Sequence, residues 1–126
     1  FLISSTVLAP TANALKSVYD LSERKALTIN TQSGTTYTLV STDADSKMVQ
    51  FTSSSSVTVT VPASTFTAGQ QINLTRYGTG SVTVQGAAGV TVNATPSLVL
   101  RARYSAGTIV CIDESTFVLY GDLLTD

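Results

Sequence analysis

The segment Val57-Thr58-Val59-Thr60-Val61 sets hard limits on what this chain can fold into. Valine and threonine alternate with a period of two, which puts the three valines on one face of an extended strand and both threonines on the other. β-Branching at every position suits a pleated sheet and weakens a helix. Pro62 ends the run, because it has no N–H to give to a continuing ladder. The same alternation returns in Ile72-Asn73-Leu74-Thr75, in Val82-Thr83-Val84-Gln85 and in Val90-Thr91-Val92-Asn93. Each reads as a strand with one face in a core and a hydroxyl- or amide-bearing face toward water.

Turn signals lie between these runs: Ala68-Gly69, Gly78-Thr79-Gly80, Gly86-Ala87-Ala88-Gly89, Thr95-Pro96 and Ala106-Gly107. Short strands separated by short glycine turns predict an all-β domain over residues 31–126, an antiparallel β-sandwich or barrel-like module. Two later strands break the alternation. Thr108-Ile109-Val110-Cys111-Ile112 and Phe117-Val118-Leu119-Tyr120 are apolar on both faces, joined by a hairpin loop at Asp113-Glu114-Ser115-Thr116. A strand of that kind is covered on both sides, either in the middle of the fold or by a partner.

Residues 1–30 read differently, as an extended arm followed by one short α-helix. Pro10 stops the arm and Thr11 caps the helix, whose Leu15, Val18 and Tyr19 form a stripe flanked by Ala14 and Leu21. Arg24 and Lys25 close its last turn, where the macrodipole favours cations. So short a helix is marginal alone and calls for a packing partner. A copy of itself from another subunit is one candidate. The sequence opens on Phe1 and its single methionine is Met48, which fits a processed chain or part of a longer one.

Composition narrows the function classes. Of 126 residues, 12% are charged and 37 are serine or threonine, so small hydroxyls stand where ions usually do. There is no histidine, which removes Ser-His-Asp and Cys-His pairs and histidine-based metal sites. A net charge of −1 gives no footprint for DNA or RNA. No apolar run approaches the ~20 residues of a membrane-spanning helix. No cofactor or metal is expected, and no enzymatic activity.

The residues that could carry chemistry are few. Asp43 and Asp45 lack the glycine and distal glutamate of a calcium loop and read as a solvated turn. Asp113 and Glu114 would form a glycosidase pair only across a cleft, and neighbours in a tight turn splay into water. Cys111 lies between Val110 and Ile112 and reads as a small core hydrophobe. Tyr19, Tyr37, Tyr77, Tyr104 and Tyr120 are scattered, each expected at the edge of the core. Arg101 and Arg103 share a strand face with Val99, a small cationic ladder. Three placements fit them: binding an anionic sugar or phosphate, pairing with carboxylates of a neighbouring subunit, or lying solvated on an edge. The candidate subunit-interface residues are Leu15, Val18, Leu21, Arg101 and Arg103.

The order of motifs resembles a module that recurs in virion proteins of tailed bacteriophages. It begins with Tyr37-Thr38-Leu39-Val40 and the stretch from Asp43 to Val49, followed by Val57-Thr58-Val59-Thr60-Val61-Pro62 and Gly69-Gln70-Gln71-Ile72. Gly78-Thr79-Gly80-Ser81-Val82-Thr83-Val84, Gly89-Val90-Thr91-Val92-Asn93, Leu100-Arg101-Ala102-Arg103-Tyr104-Ser105 and Val118-Leu119-Tyr120-Gly121-Asp122-Leu123 complete it. The likeness covers residues 36–123, and the helix from Pro10 to Leu21 is similar to helices that link repeats in tail fibres. Phe117 stands where that module often has tryptophan. The resemblance implies a non-enzymatic structural component on the surface of a phage particle, a self-associating module of a tail or head fibre, commonly a homotrimer. Capsid decoration bound to the shell, or a receptor- or glycan-binding domain at a fibre tip, are the alternatives. In the last case the loops Ser53–Ser56 and Gly86–Gly89 would make the contact with the host surface.

Overall fold

The structure, a computed structural model, describes residues 27–125. Within them lie nine strands: β1 (Thr28–Gln32), β2 (Thr36–Thr38), β3 (Lys47–Phe51), β4 (Val57–Val61), β5 (Gln71–Arg76), β6 (Val82–Gly86), β7 (Thr91–Ala94), β8 (Ala106–Asp113) and β9 (Thr116–Gly121). A single 3-10 turn, Ser41–Ala44, sits between β2 and β3. The expected arm and α-helix, with Leu15, Val18 and Leu21, lie outside the described residues. The first strand already begins at Thr28, inside the 1–30 segment expected to hold the arm and linker helix.

The all-β expectation holds, but the antiparallel sandwich or barrel does not. The first six strands wind as a β-solenoid-like coil in which each strand pairs in parallel with the next but one. β1, β3 and β5 form one parallel series, and β2, β4 and β6 form the other. The reason lies in the turns. Ser33–Thr35, Thr52–Ser56 and Tyr77–Ser81 carry the chain across from one sheet to the other instead of folding it back beside the strand just left. The intervening strand of the opposite sheet then serves as the crossover that a parallel pair requires. Alternation with a period of two reports that one face is buried, and it is silent about which strand lies alongside.

Stacking in register turns the sequence pattern into rows. Val57, Val59 and Val61 of β4 sit beside Val82, Val84 and Gly86 of β6. The inward rows feed one core, built around Val49, Phe51, Val59, Leu74, Val84, Ile109, Phe117 and Leu119, all sealed from solvent. The outward rows are hydroxyl and amide ladders, such as Thr36, Thr58 and Thr83 across β2, β4 and β6. Neighbouring rungs are tied by side chains: Thr31 Oγ1 donates to Gln50 Oε1 at 3.2 Å, and Gln85 Nε2 to Thr60 Oγ1 at 3.4 Å. Phe66, in the connection from β4 to β5, is also fully buried and meets Phe117 edge-on, ring centres 6.1 Å apart.

Antiparallel pairing appears where the coil ends. β8 runs antiparallel to β5 and β9 antiparallel to β8, so the hairpin read at Asp113–Thr116 is present. β7 then adds in parallel to the far edge of β9, giving the order β1-β3-β5-β8-β9-β7. On the second sheet, Leu98–Leu100 closes the edge of β6 through hydrogen bonds from Val84 N to Leu98 O and from Leu100 N to Val82 O. The last turn of the coil therefore has both of its strand edges satisfied by the chain's own C-terminal segment, as solenoids require of a terminal cap.

Candidate functional site

Three places in the fold gather side chains with chemistry to offer. The first is a corner where turns stack. Thr52–Ser56 and Tyr77–Ser81 lie against one another, held by hydrogen bonds from Tyr77 N and Gly78 N to Phe51 O and from Gly80 N to Ser53 O. Gly80 is required there, because a Cβ would collide with the backbone carbonyl of Ser55. The tight turn Ala102–Ser105 packs on the same corner: Arg76 N donates to Ser105 O at 2.9 Å and Tyr104 N donates to Arg76 O.

These backbone contacts bring Tyr77 and Tyr104 together. Their rings meet at 5.5 Å with an interplanar angle of 70°, and they stay 48% and 63% exposed. Arg103 donates from Nε to Tyr77 O at 2.9 Å and lays its guanidinium over the Tyr104 ring, 4.9 Å from the centroid. Arg76 reaches the same turn from β5, with Nη2 donating to Thr79 O at 2.6 Å. Its Nε is buried without a hydrogen-bond partner. Tyr104 holds a φ of 73°, in the left-handed region that bulky residues avoid.

Two expectations are corrected here. Arg101 and Arg103 form no ladder, because the chain leaves extended geometry after Leu100 and turns at Ala102–Ser105. Arg101 instead makes a two-pronged ion pair with Asp122 of its own chain, Nε to Oδ1 at 2.6 Å and Nη2 to Oδ2 at 2.8 Å. Those hydrogen bonds hold the Asp122 carboxyl below the usual carboxylate range and push Arg101 upward. The tyrosines are also less scattered than their spacing suggests. Nothing between Tyr77 and Tyr104 in the sequence marks them as neighbours; the pairing depends on the coil's turns.

The second place is inside the first coil. Asp43 is fully buried, contrary to the solvated turn expected of it. Oδ2 accepts from Tyr37 OH at 2.7 Å and from Val40 N at 3.0 Å, while Oδ1 accepts from Asn30 Nδ2 at 2.9 Å. Tyr37 and Asn30 occupy the inward rows that Val59 and Val49 fill one rung later. The end of the core is thus polar, and the 3-10 turn folds the Asp43 carboxylate in to satisfy it. Burial and the hydrogen bond to Asp43 push the Tyr37 phenol up to about 12. Asp45 stays exposed, as read.

The third place is the outward face of the six-stranded sheet. One row runs Ile29, Met48, Asn73, Thr108, Tyr120. On either side of it lie Gln71, Val110, Val118, Asn93 and Thr31, Gln50, Thr75, Ala106. No Lys, Arg, Asp or Glu stands in these three rows. The two-sided apolar strands β8 and β9 bury Ile109, Cys111, Phe117 and Leu119 inward, while Val110 and Val118 are half-buried and Ile112 and Tyr120 exposed on the other side. Among the described residues, their second face is not covered.

The remaining candidates are structural. Cys111 is buried, and that burial pushes its thiol up, with Asp113 and Glu114 adding to the effect. Its sulfur donates to Asp113 O at 3.0 Å. Asp113 closes the β8–β9 turn by accepting from Ser115 N at 2.9 Å, a bond that holds its carboxyl below the usual range. Gly86–Gly89 lies at the opposite end of β6 from Tyr77–Ser81, so it shares no surface with Ser53–Ser56 along that strand. Among the described residues, no group of three Cys, Asp or Glu side chains could hold a metal ion, and no helix is long and apolar enough to cross a membrane. No protein-family model matches the chain, and comparisons with curated proteins and with solved structures give no match.

Proposed function

We propose that this chain is a non-enzymatic structural module of a tailed-phage virion appendage, a tail or head fibre, and that it works as a homotrimer. The observation that carries the self-association is the set of three outward rows of the six-stranded sheet that hold no charged residue. Two copies that meet through such a face encounter no like-charge repulsion, and Val110, Ile112, Val118 and Tyr120 supply the apolar contact. Support for the virion comes from the ordered motifs over residues 36–123. Solenoid-like stacking suits a rigid spacer, because each rung needs only its neighbours.

Sedimentation at micromolar concentration tests the association. A trimeric mass is expected, together with dissociation of Val118→Asp into monomers that keep the β-sheet circular dichroism spectrum. A monomer at every concentration overturns the self-association. Immunolabelling of particles from cells that encode the chain is expected to decorate fibres. Label confined to the shell, or none on particles, overturns the appendage reading.

A further inference from the structure

We infer that the corner formed by Tyr77, Tyr104, Arg103 and Arg76 is a binding site for an acidic saccharide, independent of the self-association face. Four observations converge on it. Two tyrosine rings, 48% and 63% exposed, stand edge to face and leave aromatic surface in solvent against which the C–H face of a pyranose packs. The guanidinium of Arg103 is fixed beside that surface by its Nε bond to Tyr77 O and by the Tyr104 ring beneath it. An arginine held in this way presents its outer N–H groups to a carboxylate or sulfate, the anions a planar fork suits best.

Charge supplies the third observation. The turns at this corner, Thr52–Ser56, Tyr77–Ser81 and Ala102–Ser105, contain no Asp or Glu, while Arg76 and Arg103 both belong to it. A chain of net charge −1 therefore carries a local positive centre ringed by serine and threonine hydroxyls. Two cations are too few for a nucleic-acid track, and an anionic glycan gains more from them than a neutral one, through charge-assisted hydrogen bonds. The fourth observation is backbone conformation. Tyr104 keeps a φ of 73°, where glycine is at ease and an aromatic residue is not. A strained residue whose ring is turned out to solvent gains little for folding, and strain of this kind gathers at ligand-binding positions.

The test uses the intact chain and three defined probes by isothermal titration: tetragalacturonate, a heparin-derived tetrasaccharide and cellotetraose. Binding of one or both acidic probes is expected, weakening with added salt, with no measurable binding of cellotetraose. Preference between the two acidic probes assigns carboxylate or sulfate as the recognised group. Arg103→Gln and Tyr104→Gly are each expected to weaken that binding at least 10-fold. Tyr104→Gly removes the ring while easing the backbone, so its Tm is expected to stay level or rise, and loss of binding cannot then be ascribed to unfolding. Val118→Asp, on the self-association face, is expected to bind as the unaltered chain does. Equal binding of cellotetraose, acidic binding untouched by both corner variants, or no binding of any probe at millimolar concentration overturns the assignment. None of these outcomes bears on the sedimentation result.

Discussion

The phenol of Tyr37 donates a 2.7 Å hydrogen bond to Oδ2 of Asp43, and that carboxylate has no exposure to solvent. Tyr37 lies on β2 and Asp43 in the 3-10 turn that follows it, so the bond pins the turn onto the first described coil. With Asn30 Nδ2 and Val40 N as further donors, one carboxylate accepts from three groups, and Asn30 Nδ2 also reaches Tyr37 OH at 3.0 Å.

Removing that acceptor is expected to destabilise the domain. Asp43→Ala takes the acceptor from Tyr37 OH and Val40 N and leaves Asn30 Nδ2 only its bond to Tyr37 OH, a loss of about 1–3 kcal/mol. Asp43→Asn keeps one acceptor oxygen and is expected to lose less. Urea unfolding checks both: the midpoint should fall with the slope unchanged. A midpoint that does not move for Asp43→Ala would show that the cluster adds nothing to stability.

The same pair sets a dependence on alkaline pH. Tyr37 is raised from 10.0 to about 12, first by burial and then by its bond to Asp43. Between those values the unfolded phenol gives up its proton while the folded one keeps it. Stability is therefore undiminished below pH 10 and falls as pH rises toward 12. Tyr37→Phe is expected to flatten this fall, and its difference spectrum at phenolate wavelengths against the unaltered chain should centre near the upper value. A difference centred near the ordinary phenol range would contradict the burial of Tyr37.

Two glycines separate steric from conformational demands. A Cβ at Gly80 meets the Ser55 carbonyl, so Gly80→Ala must push apart the stacked turns, with an expected loss of about 1–3 kcal/mol. Gly69 has open space around it but a φ of +91°, so Gly69→Ala is expected to lose about 1 kcal/mol from backbone strain alone. Thermal melting of the two variants tests the order; Gly69→Ala as the weaker protein would reverse it.

Arg101 and Asp122 give the opposite kind of prediction. Their pairing is at the surface, with side chains 55% and 44% exposed. Arg101→Ala is expected to leave Tm unchanged at pH 7, because solvent and salt screen such pairs. The Asp122 carboxyl, held low by Arg101, should then titrate nearer the usual carboxylate range by NMR. The small contribution of this pair is present above the unfolded carboxylate range and lost as pH falls through the depressed one. A large drop in Tm would mean that Arg101 supports more than the pair itself.

For β4, β5 and β6, strand identity was legible from residue pattern alone, whereas β1, with Ile29 as its one apolar residue, was not. Val57, Val59 and Val61 point inward, as do Ile72, Leu74, Val82 and Val84, because alternation fixes the face that leaves water. The hairpin around Asp113–Ser115 and the inert Cys111 were legible for similar local reasons. Phe66 shows where local signals fail. It sits between two turns with no periodic neighbours, yet it is sealed into the core against Phe117.

The sequence by itself determined an all-β domain after the first thirty residues, with hydroxyl-rich outer faces, sparse charge and no histidine chemistry. These properties follow from residue type and from spacing within a strand's length. Tertiary structure decided everything that joins distant positions. It wound the strands into parallel coils rather than an antiparallel sandwich, since pairing partners depend on where each turn sends the chain. It drew Asp43 inward because the end of a coil leaves polar groups that must be satisfied. It placed Tyr77, Arg103 and Tyr104 on one corner because stacked turns bring residues from separate rungs into contact.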